Sequence, residues 1–168
     1  MAIQFIEGDA TAPWCSGPRI IVHVVNDGGG WGRGFVLALS ARWKEPEQAY
    51  RAWSKSKSQL AAPFALGEVQ FVEVEPGLWV ANLVGQHGTR VSDGVPPVRY
   101  EAIRRGLASV RRFAGEQGAS VHMPRIGCGL AGGRWEEVGR IVMEELAAHG
   151  VEVSVYDPPA ISRAPPEG

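Results

Sequence analysis

The stretch 123–135, Met-Pro-Arg-Ile-Gly-Cys-Gly-Leu-Ala-Gly-Gly-Arg-Trp, carries the most explicit chemistry in this chain. Gly127, Gly129, Gly132 and Gly133 stand between a strand-like run ending at His122 and a helical apolar spacing that begins at Trp135. A glycine-rich turn between a strand and a helix presents a concave row of backbone N–H groups backed by the helix dipole. Such a row binds phosphate without a cationic side chain. A plain turn with no ligand is the alternative for the same glycines. A second glycine-rich loop, Gly28 to Gly34, also follows a strand, and the two together favour a phosphate cradle. Cys128 and Arg134 are separated by five residues within the first of these turns. At that spacing a thiolate lowered in pKa by a helix N-terminus attacks phosphorus while the guanidinium clamps the oxygens.

The elements that must position these loops alternate strand and helix. Residues 3–6 predict a short strand ending at Gly8-Asp9-Ala10-Thr11. Residues 19–25 form a nearly continuous β-branched run, the pattern of a strand buried on both faces, and end at Asn26. The spacing of Phe35, Leu39 and Trp43 predicts a helix; Pro46 opens a second through Tyr50 and Trp53 that fades into polar 54–59. Residues 68–74 alternate, Pro76-Gly77 turns, and 78–84 return as a hairpin partner that Gly85-Gln86-His87-Gly88 breaks. A helix over 100–114 carries Ile103, Leu107, Val110 and Phe113 on one side. A strand at 120–122, a helix over 135–149 and a last strand over 151–156 follow. This order predicts an α/β fold of three layers around a mixed sheet of about six strands. Ligands of such sheets bind at the carboxyl ends of strands, where both glycine loops and Asp9 lie. Residues 1–157 read as one domain, and Pro-rich 158–168 as a disordered tail.

With 17 basic and 18 acidic residues among 168, the chain has no global field to recruit nucleic acid or an anionic membrane. Cys15 and Cys128 give no disulfide framework and suit a reducing compartment, the cytoplasm. No apolar run reaches membrane length, and no signal-peptide pattern is present. Arg104, Arg105, Arg111 and Arg112 read as a solvated helix edge. His23 and His122, inside apolar strands, read as core histidines with their hydrogen bonds met.

Four motifs, in order over residues 2–157, resemble the macrodomain family. Gly8-Asp9-Ala10-Thr11 is similar to its Gly-Asp-Ile-Thr opening. His23-Val24-Val25-Asn26 with Gly28-Gly29-Gly30-Trp31-Gly32 resembles its strand ending in Asn and its first glycine loop. Asn82-Leu83-Val84-Gly85-Gln86-His87-Gly88 resembles the hairpin strand of small microbial members. Met123-Pro124-Arg125-Ile126-Gly127-Cys128-Gly129-Leu130 is similar to the second loop. It is most like the branch of terminal ADP-ribose protein glycohydrolase and ADP-ribose-1″-phosphate phosphatase. The resemblance implies a three-layer macrodomain that takes ADP-ribose as ligand or product, with no metal and no other cofactor. It implies a monomer acting on ADP-ribose or an ADP-ribosylated substrate, away from membranes, with nucleic acid entering only as such a substrate.

The resemblance also implies a placement for each contact. Asp9 would accept from the adenine amine, helped by the Ala10 N–H. Asn26 would hold the distal ribose hydroxyls. Gly28, Gly29, Gly30, Trp31 and Gly32 would approach that ribose and a phosphate where a Cβ would not fit, although Trp31 is equally suited to wedge the loop against the core. Ile126, Gly127, Cys128, Gly129, Leu130 and Ala131 would cradle the diphosphate, and Tyr156 or Asp157 would flank the adenine.

The branch's glycohydrolase uses a lysine on the hairpin strand and an aspartate just after Gly-Cys-Gly-Leu. Here Gln86, approximately, and Ala131 hold those places, so a lysine-adduct mechanism lacks both groups. Asp27, Gln86, His87 and Arg134 remain as polar candidates. Asp27 or His87 would position or activate water at the anomeric carbon or a terminal phosphate, and Arg134 would stabilise phosphoryl charge. The expected activity is hydrolysis of a 1″-linked derivative, ADP-ribose-1″-phosphate or an ADP-ribosylated macromolecule. A noncatalytic ADP-ribose reader is the alternative. A cysteine-dependent phosphatase built on Cys128 and Arg134 ranks third, with Gly127 where those enzymes place a histidine.

Overall fold

The structure, a computed structural model, describes residues 2–56 and 63–159. In chain order it forms β1 (Gln4–Glu7), β2 (Arg19–Asn26), α1 (Phe35–Arg42), α2 (Glu45–Ser56), β3 (Val69–Glu75) and β4 (Leu78–Gln86). There follow α3 (Tyr100–Gln117), β5 (Ser120–Met123), α4 (Trp135–Glu145) and β6 (Val153–Asp157). The six strands lie in the order β1-β6-β5-β2-β4-β3. All neighbours are parallel except β3 and β4.

Alternation along the strands sends successive side chains to opposite faces. Ile20, Val22, Leu83, Met123 and Val155 therefore pack beneath α3 and α4. Ile21, Val25, Val80 and Val84 meet Leu39, Tyr50 and Trp53 of α1 and α2 on the other side. Each fully buried side chain of this size stabilises by about 1.5–3 kcal/mol, which makes β2, buried on both faces, the axis of the sheet. This is the mixed, three-layer α/β/α arrangement that the hydrophobic periodicities predict.

Several local expectations change. β4 does not break at Gly85 but continues to Gln86, which pairs with Asn26 of β2. A Cβ on Gly85 would lie 3.0 Å from Val24, 3.1 Å from Ile103 and 3.2 Å from Leu83. This glycine serves the close approach of α3 to the sheet. α4 stops at Glu145, and a separate 3₁₀ turn, Ala147–His149, completes the expected helix. Three of the four arginines on the basic edge of α3 are ion-paired, while Arg112 reaches only Ser109 on its own helix. Arg104 bridges Glu144 and Glu145 of α4, Arg111 joins Glu145, and Arg105 reaches Glu68. α2 ends at Ser56, so polar 57–59 lie outside the described residues, as does 160–168 of the expected tail. No helix among the described residues is long and apolar enough to cross a membrane.

Candidate functional site

β2 and β5 are neighbours, so the loops leaving their carboxyl ends stand side by side. Between them open two cavities that share Val24, Arg33, Val36, Gln86 and Leu130 in their walls. The larger, about 460 Å³, is walled by Asn26, Gly30, Trp31 and Gly32. The smaller, about 340 Å³, is walled by His23, Ile126, Gly127, Cys128, Gly129 and Ala131.

Asn26 builds the first loop. Its side-chain oxygen accepts the N–H groups of Gly28 and Gly30 at 2.9 and 3.1 Å, and its amide donates to the Gly30 carbonyl at 2.9 Å. Tyr50 donates to the Asn26 carbonyl and accepts the Gly29 N–H at 3.1 Å. Gly29 sits at φ +86, and a Cβ there would meet Ser54 Oγ at 2.9 Å. Most of the amide expected to hold ribose is thus occupied in shaping the loop. Trp31 wedges the loop: it is buried, donates to Ser40 at 2.8 Å and lies edge-on to His23, while its ring still forms part of the larger cavity's wall.

The two residues singled out as alternative bases form a pair. Asp27 Oδ2 lies 2.7 Å from His87 Nδ1, and Asp27 Oδ1 accepts the Gly88 N–H at 2.9 Å. Partial burial raises the Asp27 carboxyl, but the Gly88 N–H and the imidazole outweigh it and hold the pKa below the ordinary value. In the neutral tautomer that carries its proton on Nδ1, directed to the carboxylate, the His87 imidazole would present Nε2 as a lone pair. The His87 side chain is 63% exposed and does not line the larger cavity, whose wall takes Gln86, Thr89 and Arg90 on either side of it in sequence. Gln86 is tied down, donating to the Gly88 carbonyl at 2.9 Å.

The second loop differs from a turn running straight into a helix. Residues Gly129–Ala131 make a 3₁₀ turn, and Gly133 donates back to the Gly127 carbonyl at 2.8 Å. The N–H groups of Gly132, Gly133 and Arg134 are taken within the protein, and Gly133 bridges to Cys128 across the loop. α4 contributes little dipole to the cradle, because Glu136 and Glu137 already occupy its first turn.

The same geometry does not favour the thiol chemistry. Burial pushes the Cys128 thiol up and Glu136 adds to this, with Arg125 offsetting part. Arg134 points outward, 73% exposed and 3.6 Å from Glu136. An activated thiolate needs the opposite environment. Cys128→Ala is expected to keep ADP-ribose affinity and any turnover within about twofold, since the thiol acts as a small packing group; calorimetric titration and a product assay check it.

Asp9 does not line either cavity. Its carboxylate accepts the Thr11 N–H and hydroxyl at 2.8 and 2.7 Å and faces Arg42 of α1 at 3.6 Å. Ala10 beside it is buried. Tyr156 is buried as well, its hydroxyl bonded to His122 Nδ1 and to the Trp14 N–H. Asp157, on the other parity of β6, holds Arg125 through two bonds of 2.7 and 2.9 Å. Arg125 lies over the rings of Phe5 and Trp135, at 5.3 and 5.1 Å. Asp157 was among the site residues expected from sequence, whereas Arg125 with Phe5 and Trp135, and the cavity arginines Arg33 and Arg90, were not. An arginine directly after a central strand was the available signal for Arg125.

Known proteins share this architecture. A macrodomain protein from Streptomyces coelicolor is 52% identical over 93% of this chain and 99% of its own, with a TM-score of 0.82. A protein of unknown function from Bacteroides thetaiotaomicron is 56% identical over 94% and 98%, with a TM-score of 0.89. The chromodomain-helicase-DNA-binding protein 1-like of Danio rerio is 32% identical over 92% of this chain, which spans only 15% of that relative. The ADP-ribose glycohydrolase OARD1 of Bos taurus is 25% identical over 92% of this chain and 90% of its own. No family model matches. With this identity to a solved macrodomain across nearly its full length, the chain belongs to the macrodomain family.

Proposed function

We propose that the chain binds ADP-ribose and hydrolyses it from a 1″-linked derivative, a phosphate ester or an ADP-ribosylated macromolecule. One observation carries the reading. The joined cavities set the second glycine loop at one end, and the Asp27–His87 pair directly follows Asn26 and Gln86, which line the other. A diphosphate needs donors without bulk, and the sugar bond beyond it needs a positioned base. Similarity to OARD1, named an ADP-ribose glycohydrolase, supports the hydrolase class.

In this reading His87 Nε2 takes a proton from water as its oxygen attacks C1″, or the phosphorus of a 1″-phosphate. The bond to the leaving oxygen breaks, and that oxygen departs with its electron pair. Asp27 fixes the tautomer and stabilises the imidazolium that forms, the division of labour of a carboxylate behind a catalytic histidine. Asp9, whose Oδ2 faces Arg42 at 3.6 Å, receives the adenine amine. The protein works as a monomer in a reducing cytoplasm, in keeping with free Cys15 and Cys128.

The reader alternative has one observation in its favour: His87 is largely exposed and stands beside the cavity rather than in its wall. Ligand specificity is tested by thermal shift. At a hundredfold excess over Kd, ADP-ribose stabilises by about 2.7 kcal/mol, a melting rise of roughly 5–10 °C at this size, while GDP-ribose gives none. Equal shifts, or none for either, contradict the adenine and diphosphate assignments.

A further inference from the structure

His23 was expected to be a satisfied core histidine, and only half of it is. Its Nε2 lies 2.5 Å from Asn82 Oδ1. The orientation of that amide is set independently, because Asn82 Nδ2 donates to the Pro46 carbonyl at 3.2 Å and to Gln70 Oε1 at 3.0 Å. The oxygen therefore faces the imidazole, so Nε2 carries the proton and Nδ1 a lone pair. That Nδ1 is buried and has no hydrogen-bond partner. Burial among Trp31 and Phe35 pushes the imidazole pKa down to about 4, which keeps it neutral. His23 also forms part of the wall of the smaller cavity, with Gly127 and Gly129 of the second glycine loop.

We propose that His23 is a ligand-binding residue whose Nδ1 accepts a hydroxyl of the distal ribose. The proposal rests on the ADP-ribose reading and adds an orientation to it. A buried acceptor selects among the chemical groups of the ligand. Phosphate oxygens at neutral pH carry no proton and meet a lone pair with repulsion, whereas a sugar hydroxyl donates. The sugar therefore lies over β2 at His23, and the diphosphate lies toward the second glycine loop, Gly127 to Ala131, in the same cavity wall. Asn26 ends the same strand, and Asp27 follows it.

The test is a long-range proton–nitrogen correlation spectrum of the ¹⁵N-labelled full chain, titrated with ADP-ribose and separately with ADP. The His23 Nδ1 resonance is expected to move upfield with ADP-ribose and to stay in place with ADP. In parallel, His23→Phe is expected to weaken ADP-ribose roughly tenfold, the scale of one hydrogen bond, and to leave ADP affinity unchanged. If that variant does not fold, the wild-type spectrum still decides. An Nδ1 signal that ignores bound ADP-ribose, or equal losses for both ligands, overturns the proposal and assigns the site to an ordered water or to packing. Absence of ADP-ribose binding by the wild type is a different result, and it removes the ADP-ribose reading itself.

Discussion

Asp27→Asn is expected to slow release of ADP-ribose from its 1″-linked derivatives by about a hundredfold, the usual loss when a positioned base is disabled. The amide keeps the size of the carboxylate, but its NH₂ group opposes the His87 Nδ1 proton across a 2.7 Å contact. The imidazole then turns or changes tautomer, and Nε2 no longer faces water as an acceptor. His87→Ala is expected to lose as much. Because the two residues act as one unit, the double variant should be scarcely slower than either single one. ADP-ribose affinity should fall by less than about threefold in all of them, because neither residue lines the cavity of the second glycine loop. With Gln86 and Ala131 where a lysine and its carboxylate would stand, a reductant added during turnover should trap no sugar adduct. Product assays on the three variants check this; additive losses in the double variant contradict the pair.

The largest structural effect is expected at Gly133. A Cβ there would stand 2.2 Å from the Gly127 carbonyl oxygen, the same atom that accepts the Gly133 N–H. Both partners are backbone, so no side chain can move aside, and the whole 3₁₀ turn must shift. Gly133→Ala should cost on the order of 2–3 kcal/mol, the range for forced overpacking, and several degrees of melting temperature. ADP-ribose affinity should fall at least about tenfold as the cradle opens. Gly129→Ala is the comparison: φ is +68 but nothing lies within 4 Å of the added carbon, so only backbone strain of about 1 kcal/mol applies. Calorimetric unfolding of both variants separates steric closure from conformational strain.

Much of this architecture was legible in residues 19–34. A run buried on both faces, an asparagine at its end and glycines beyond it describe β2 and the first loop closely. What the sequence did not show follows from pairings over long separation. Asp27 and His87 are 60 positions apart and meet only because Gln86 falls opposite Asn26, after a register shift between Val25 and Asn26. Gly85 looked like a strand breaker because its neighbours Val24 and Ile103 are remote in sequence. The choice between Tyr156 and Asp157 depended on strand parity. The register of β6 with β1 turns Tyr156 into the core and Asp157 toward Arg125. The unpartnered Nδ1 of His23 depended on the orientation of Asn82, which Pro46 and Gln70 set from other elements.

The most direct measurement is of free ADP-ribose released when the wild-type chain is incubated with ADP-ribose-1″-phosphate and, separately, with ADP-ribosylated protein, with Asp27→Asn run beside it. Release from at least one substrate by the wild type, lowered about a hundredfold in the variant, is the predicted result. A wild-type preparation that binds ADP-ribose yet releases none from either substrate contradicts it, and leaves the chain a reader of ADP-ribose rather than a hydrolase.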